Sequence, residues 1–231
     1  SFAVLRRLID ACQDSYNAKE WKRIYIWLLE ITMRFTDTDI VDFLLARVDI
    51  SSTTKDILIT ETVGFDNVVM LTYVLDRFEV GKQDVVNLMS ESVKQCANQV
   101  AKYLIERTGA SHKVILLFTT YKDNLEMVKY IDDNYNVKES TWNELLNDVG
   151  KDHAYNIAVY ILERKFSGKP NNLLRGAVDS ENGESLTLVK LAIKYGADNF
   201  LEAARTAWNY GRYAILNYLK RKFNISLAEL A

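Results

Sequence analysis

At 231 residues and a formal charge of −2, with 48% hydrophobic and 26% charged side chains, the chain has an ordinary folded composition and no basic excess to favour nucleic acid or an anionic membrane. Its two cysteines, Cys12 and Cys96, and two histidines, His112 and His153, stand too far apart for a structural zinc site, which draws about four ligands in close pairs. No run approaches the roughly 18 apolar residues of a membrane span, and neither a phosphate-binding glycine loop nor a nucleophile motif occurs, so no metal, cofactor or catalytic residue is expected.

The chain opens on Ser1 without a methionine, which points to processing or to a piece of something longer. Residues 1–16 carry Leu5, Leu8, Ile9 and Cys12 at helical spacing, an amphipathic helix read as an N-terminal cap, with the second half of a preceding repeat as the alternative. WKRIYIWLLEITMRF, from Trp21, is apolar nearly all round, as a helix buried between neighbours would be, with Trp21 and Trp27 as packing residues.

From there a pattern recurs through residues 17–226. Its copies are IVDFLLARVDI from Ile40, MLTYVLDRFEV from Met70, VAKYLIERTGA from Val100, MVKYIDDNYNV from Met127, IAVYILERKFS from Ile157, LVKLAIKYGAD from Leu188 and ILNYLKRKFNI from Ile215. The large residue in its fourth position falls at Phe43, Tyr73, Tyr103, Tyr130, Tyr160, Leu191 and Tyr218. The steps are 30, 30, 27, 30, 31 and 27 residues, a near-constant period that marks about seven structural repeats. The tyrosines of this series are read as core or outer-face packing. Each copy supplies the second helix of a pair. The first helices read as KDILITETVGF from Lys55, DVVNLMSESVK from Asp84, VILLFTTYK from Val114, TWNELLNDVG from Thr141, NLLRGAV from Asn172 and LEAARTAWNY from Leu201, each after turn or capping residues.

Short polar links join the two helices of a pair. The link DSENGES, residues 179–185, is about four residues longer than its counterpart near Gly211 and is expected as a surface excursion. Cys96 reads as a small buried apolar group, which fits a reducing, cytoplasmic setting. His153 reads as a link residue, and Lys220, Arg221 and Lys222 as a solvated helix face. Residues 227–231 look like the start of a C-terminal cap or a further repeat. With one proline and no sustained alternation, the fold is expected to be all-α.

LVKLAIKYGAD at 188–198 and DNLEMVKYI at 123–131 resemble the second helix of an ankyrin repeat. Ala207, Trp208, Gly211, Ile215, Leu216 and Leu219 match that family's pattern loosely. The family's Thr-Pro-Leu-His opening is absent from every copy, and the period is about three residues short of 33. The resemblance therefore implies an ankyrin-like α-solenoid of about seven helix-pair repeats with short or missing β-hairpins. In composition the array looks like the degenerate ankyrin proteins of large nucleocytoplasmic DNA viruses, including the multigene-family proteins of African swine fever virus. That likeness implies a non-enzymatic module in the host cytoplasm, binding a host protein of innate immunity or the ubiquitin pathway through its concave face. A structural component of a larger assembly, such as a virus particle, is the alternative.

In the ankyrin family the last position of the first helix faces the groove. Here that position holds Phe35, Phe65, Gln95, Lys122, Asp152 and Tyr210, with Tyr121 one residue earlier in the fourth repeat and Asn209 preceding Tyr210. Aromatics there would be binding anchors or covers over the core. The turns supply a second candidate surface at Lys82, Gln83, His112 and Lys138. The binding set is thus Phe35, Phe65, Lys82, Gln83, His112, Tyr121, Lys138, Asn209 and Tyr210, with a protein as partner and neither nucleic acid nor membrane.

Overall fold

The structure, a computed structural model, describes residues 2–164 and 170–230. Among them it forms fifteen α-helices, two short 3-10 turns and no strand. The chain divides into two compact units, residues 1–109 and 110–231.

The first unit holds α1 (Phe2–Ala11), α2 (Ala18–Thr32), α3 (Thr38–Leu45), α4 (Ser52–Gly64), α5 (Val68–Arg77), α6 (Lys82–Gln95) and α7 (Asn98–Thr108). Helices α2 and α3, α4 and α5, and α6 and α7 pack as pairs, while α2 touches α4, α4 touches α6, and α5 touches α7. First helices therefore stack on first helices, and second on second. The second unit repeats this plan. It contains α8 (His112–Thr119), α9 (Leu125–Asn134), α10 (Glu139–Lys151), α11 (Tyr155–Arg164), α12 (Asn171–Asp179), α13 (Leu186–Lys194), α14 (Phe200–Asn209) and α15 (Tyr213–Phe223). Along one row α8, α10, α12 and α14 are in sequential contact, and α9, α11, α13 and α15 along the other. The last residues of the copy from Ile157, 165–167, lie outside the described residues.

The apolar pattern explains why the rows form. Met70, Val100, Met127, Ile157, Leu188 and Ile215, the opening residues of six copies, are all at most 1% exposed. Because apolar groups cover two sides of each helix, a single pair cannot bury them, and stacking removes both sides from water.

The ends of the pairs are closed by capping that reaches between repeats. Asn67 Oδ1 accepts from the Met70 amide at 3.1 Å, capping α5, while its Nδ2 donates to the carbonyls of Met33 and Phe35 at 2.9 and 2.8 Å. The Asp66 carboxylate accepts from the amides of Gln99 and Val100 at the start of α7, at 3.1 and 2.8 Å. Asp123 does the same for Asn156 and Ile157 at the start of α11, at 2.8 and 2.9 Å. Glu184 serves Ala214 and Ile215 at the start of α15, at 2.9 and 3.3 Å. Negative charge on the free amides of a helix start is favourable for hydrogen-bonding and dipole reasons alike.

Helices α10 and α12 bring backbone against backbone, and glycine makes that possible. A Cβ added at Gly176 would lie 2.0 Å from the Asn147 carbonyl oxygen, and one at Gly150 would lie 2.6 Å from the Ala177 nitrogen. Both obstacles are backbone.

Three expectations are corrected and a fourth is refined. Trp27 is 58% exposed instead of packed between helices, whereas Trp21 stacks on Tyr25 at 5.2 Å and donates to the Gln13 carbonyl at 3.0 Å. Cys96 is exposed and ends α6 in a left-handed conformation at φ 63°, because it occupies the tight link that elsewhere holds Asp66, Asp123, His153 and Gly211. The long link does run at the surface, with Glu181, Asn182 and Glu184 exposed, but it is tethered: Ser180 is fully buried, its hydroxyl donates to the Lys151 carbonyl at 2.6 Å, its own carbonyl accepts from Arg212, and Glu184 caps α15. Lys82, Gln83 and His112 stand in the first turns of α6 and α8, not in turns between helices, since Gly81 and Ser111 take the N-cap positions.

Near the C-terminus residues 228–230 form a turn. Ser226 and Glu229 bond reciprocally, Glu229 Oε2 accepting from the Ser226 amide at 2.8 Å, and the Arg205 Nε donates to the Glu229 carbonyl at 2.9 Å. The two bonds from Ser226 hold the Glu229 carboxyl below its ordinary range.

Candidate functional site

Helix α4 stacks on α6, and Leu58, Thr62 and Val63 of the one and Val85, Met89 and Val93 of the other are buried. Toward their N-termini the same two helices and the turn from Phe78 to Gly81 enclose a groove of about 480 Å³. Its apolar lining is Ile59, Phe78, Val80 and Leu88, and its charged lining is Asp56, Glu79, Asp84 and Glu91 against Lys55 alone. Four carboxylates and one ammonium leave a formal charge of −3. Glu91 accepts from Gln95 Nε2 at 2.7 Å. Asp56, Glu79 and Asp84 make no salt bridge or side-chain hydrogen bond among the described residues. Lys55 sets its ammonium 5.5 Å from the centre of the Phe78 ring.

The opposite end of the first helices, at the link, carries the aromatic candidates. Phe35, Phe65, Tyr121 and Tyr210 are 57, 38, 61 and 62% exposed. In the first unit the Arg34 guanidinium lies 4.4 Å over the Phe65 ring. In the second, Tyr121 lines an open cleft with Leu117, Asp148 and Asp152, where burial pushes the Asp148 carboxyl above its ordinary range. Tyr210 and Asn209 are joined at the surface by Trp208 and Tyr213, also exposed.

The candidates from the turns fall elsewhere. Lys82 and Gln83 lie between the groove residues Gly81 and Asp84 without lining the groove themselves, and Gln83 Nε2 donates to Asn87 Oδ1 at 3.3 Å. His112 is half-buried, its ring 5.8 Å from that of Tyr135, and Lys138 is the exposed N-cap residue of α10. A helix of 13 residues such as α4 is about 20 Å long, so within a repeat the two candidate surfaces stand one helix length apart. The groove carboxylates escaped the sequence reading. Their available signal was Asp56 and Asp84, 28 residues apart and so nearly one period.

On the second helices, the tyrosine series makes contacts between repeats. Tyr160 is buried and donates to Asp132 at 2.7 Å, and Tyr73 donates to Asp42; Tyr195, outside the series at the C-cap of α13, donates to Glu163 at 3.3 Å. Burial first, and then the hydrogen-bonded carboxylate, push the phenols of Tyr73 and Tyr160 up to about 12. Lys222 donates to Tyr218 at 3.1 Å, and the basic run at 220–222 closes the last turn of α15, where cations complement the helix dipole.

Among the described residues no group of three or more His, Cys, Asp or Glu is placed to hold a metal ion. No described helix is long and apolar enough to cross a membrane. No protein-family model, curated protein or solved structure matches this chain.

Proposed function

We propose that the protein is a non-enzymatic interaction module, an ankyrin-like α-solenoid in the packing of each unit, that binds another protein through the surface of its first helices. The observation that carries this reading is the exposure of Phe35, Phe65 and Tyr210 at one repeat position, and of Tyr121 one residue before it in the fourth repeat. Exposed aromatics at equivalent places supply the large, rigid contact area on which interface energy concentrates. The partner we propose is a host protein met in the host cytoplasm, on the resemblance in repeat style alone.

Affinity capture with the wild type and with a Phe65→Ala/Tyr121→Ala/Tyr210→Ala variant tests the surface. The variant is expected to keep its helical circular dichroism and lose the captured partner. Unchanged recovery by a folded variant would refute it. A second reading, a component of a larger assembly, draws on Val4 and Leu8 of α1, which are 55 and 58% exposed. It requires self-association that grows with concentration in light scattering.

A further inference from the structure

We propose that the groove between α4 and α6 receives an extended basic segment of a protein partner, with a lysine or arginine side chain seated among Asp56, Glu79 and Asp84. This rests on the reading of the chain as an interaction module and names the chemistry of one partner segment.

Three observations converge. The groove, at about 480 Å³, is of the size in which a side chain and its flanking backbone are enclosed. Its charge is −3 with Lys55 included, and three of its carboxylates make no salt bridge among the described residues. A neutral or acidic segment covering them would strip their water and return nothing, which is the costly case for a buried charge. A segment carrying cations would replace that water with charge-assisted hydrogen bonds. The lining, finally, suits a long cationic side chain: Ile59 and Leu88 offer apolar surface to its methylene stem, and Phe78 presents a ring face to its charged end. Lys55 already makes that contact with Phe78 from within the chain. It therefore stands where an incoming cation would go, and it opposes one by like charge.

Lys55 gives the proposal an outcome of opposite sign. The full chain is used to select from a library of displayed random dodecapeptides. Enriched peptides are then synthesised with a fluorescein label and titrated by anisotropy against the wild type, Asp56→Asn/Glu79→Gln and Lys55→Gln. Asp84 is left alone because it sits in the first turn of α6, where its charge serves the helix. The other substitutions keep side-chain size on exposed or half-buried groups, and equal melting temperatures verify the fold.

The expected result is enrichment of lysine and arginine, affinity about ten-fold weaker for the double variant, and affinity about three-fold tighter for Lys55→Gln, as for charges at a half-exposed interface. Enrichment of neutral or acidic peptides, no enrichment at all, or basic peptides that bind all three proteins alike would overturn it. Peptides indifferent to the groove substitutions but lost in the Phe65/Tyr121/Tyr210 variant would overturn the groove while leaving the interaction module standing.

Discussion

Gly176→Ala sets two effects of opposite sign against each other. Alanine inside a helix is favoured over glycine by about 1 kcal/mol, so propensity alone predicts a more stable protein. The new Cβ, however, would stand 2.0 Å from the Asn147 carbonyl oxygen and 2.9 Å from its carbonyl carbon. Carbon–oxygen contacts settle at ~3.3 Å or more, so α10 and α12 must part locally by about 1.3 Å. A gap of that order forfeits about half of the dispersion energy between Leu145, Val149, Leu173 and Ala177, which are at most 1% exposed. Overpacking of this kind costs about 3 kcal/mol. Net of propensity, a loss of about 2 kcal/mol is expected, or a melting temperature lower by about 4–8 °C for a chain of this size. Thermal unfolding followed by circular dichroism measures it, with Gly64→Ala as the control, since a Cβ at Gly64 meets nothing within 4 Å. A Gly176→Ala protein as stable as the wild type would refute the close approach of the two helices.

Asp123 holds the start of α11 and itself adopts a left-handed φ of 52°. Asp123→Ala is expected to lose about 2 kcal/mol, roughly 1 for the cap and 1 for the strained backbone, whereas Asp123→Gly escapes the strain and loses about 1. In both variants the amides of Asn156 and Ile157 should exchange hydrogen faster, and unchanged exchange there would contradict the capping role. Tyr73 and Tyr160, with phenols raised to about 12 from an ordinary value near 10, contribute stability that is full below about pH 10 and lost as pH climbs toward 12. A Tyr73→Phe/Tyr160→Phe variant should lose the latest component of the ultraviolet phenolate titration and show a shallower loss of stability over that interval.

What the sequence made legible is what the core demands. The copies from Met70, Val100, Met127, Ile157, Leu188 and Ile215 locate the second helices because each must bury the same apolar positions. The apolar pattern places first-helix starts up to three residues late, at Lys55 where the helix begins at Ser52, since a first turn is polar, exposed and silent in such a pattern. Trp27 misled because hydrophobicity favours burial without enforcing it. Cys96 misled because a backbone constraint, the left-handed link, overrode its side chain's preference. The tethering of the long link was not readable, because Ser180 and Glu184 find their partners at Lys151 and Ala214, about one repeat away on either side. The groove depends on three-dimensional proximity of acids that look like ordinary solvated charges along the chain, whereas the exposed aromatics at the link were visible by alignment of the repeats.

If the proposed function holds, binding belongs to the first helices and not to the second. Partner capture quantified by mass spectrometry, comparing the wild type, the Phe65→Ala/Tyr121→Ala/Tyr210→Ala variant and a Glu106→Ala/Asp133→Ala/Asn217→Ala variant on exposed positions of α7, α9 and α15, tests it directly. The account predicts that the first variant loses the partner and the second keeps it. Loss confined to the second variant would contradict the account.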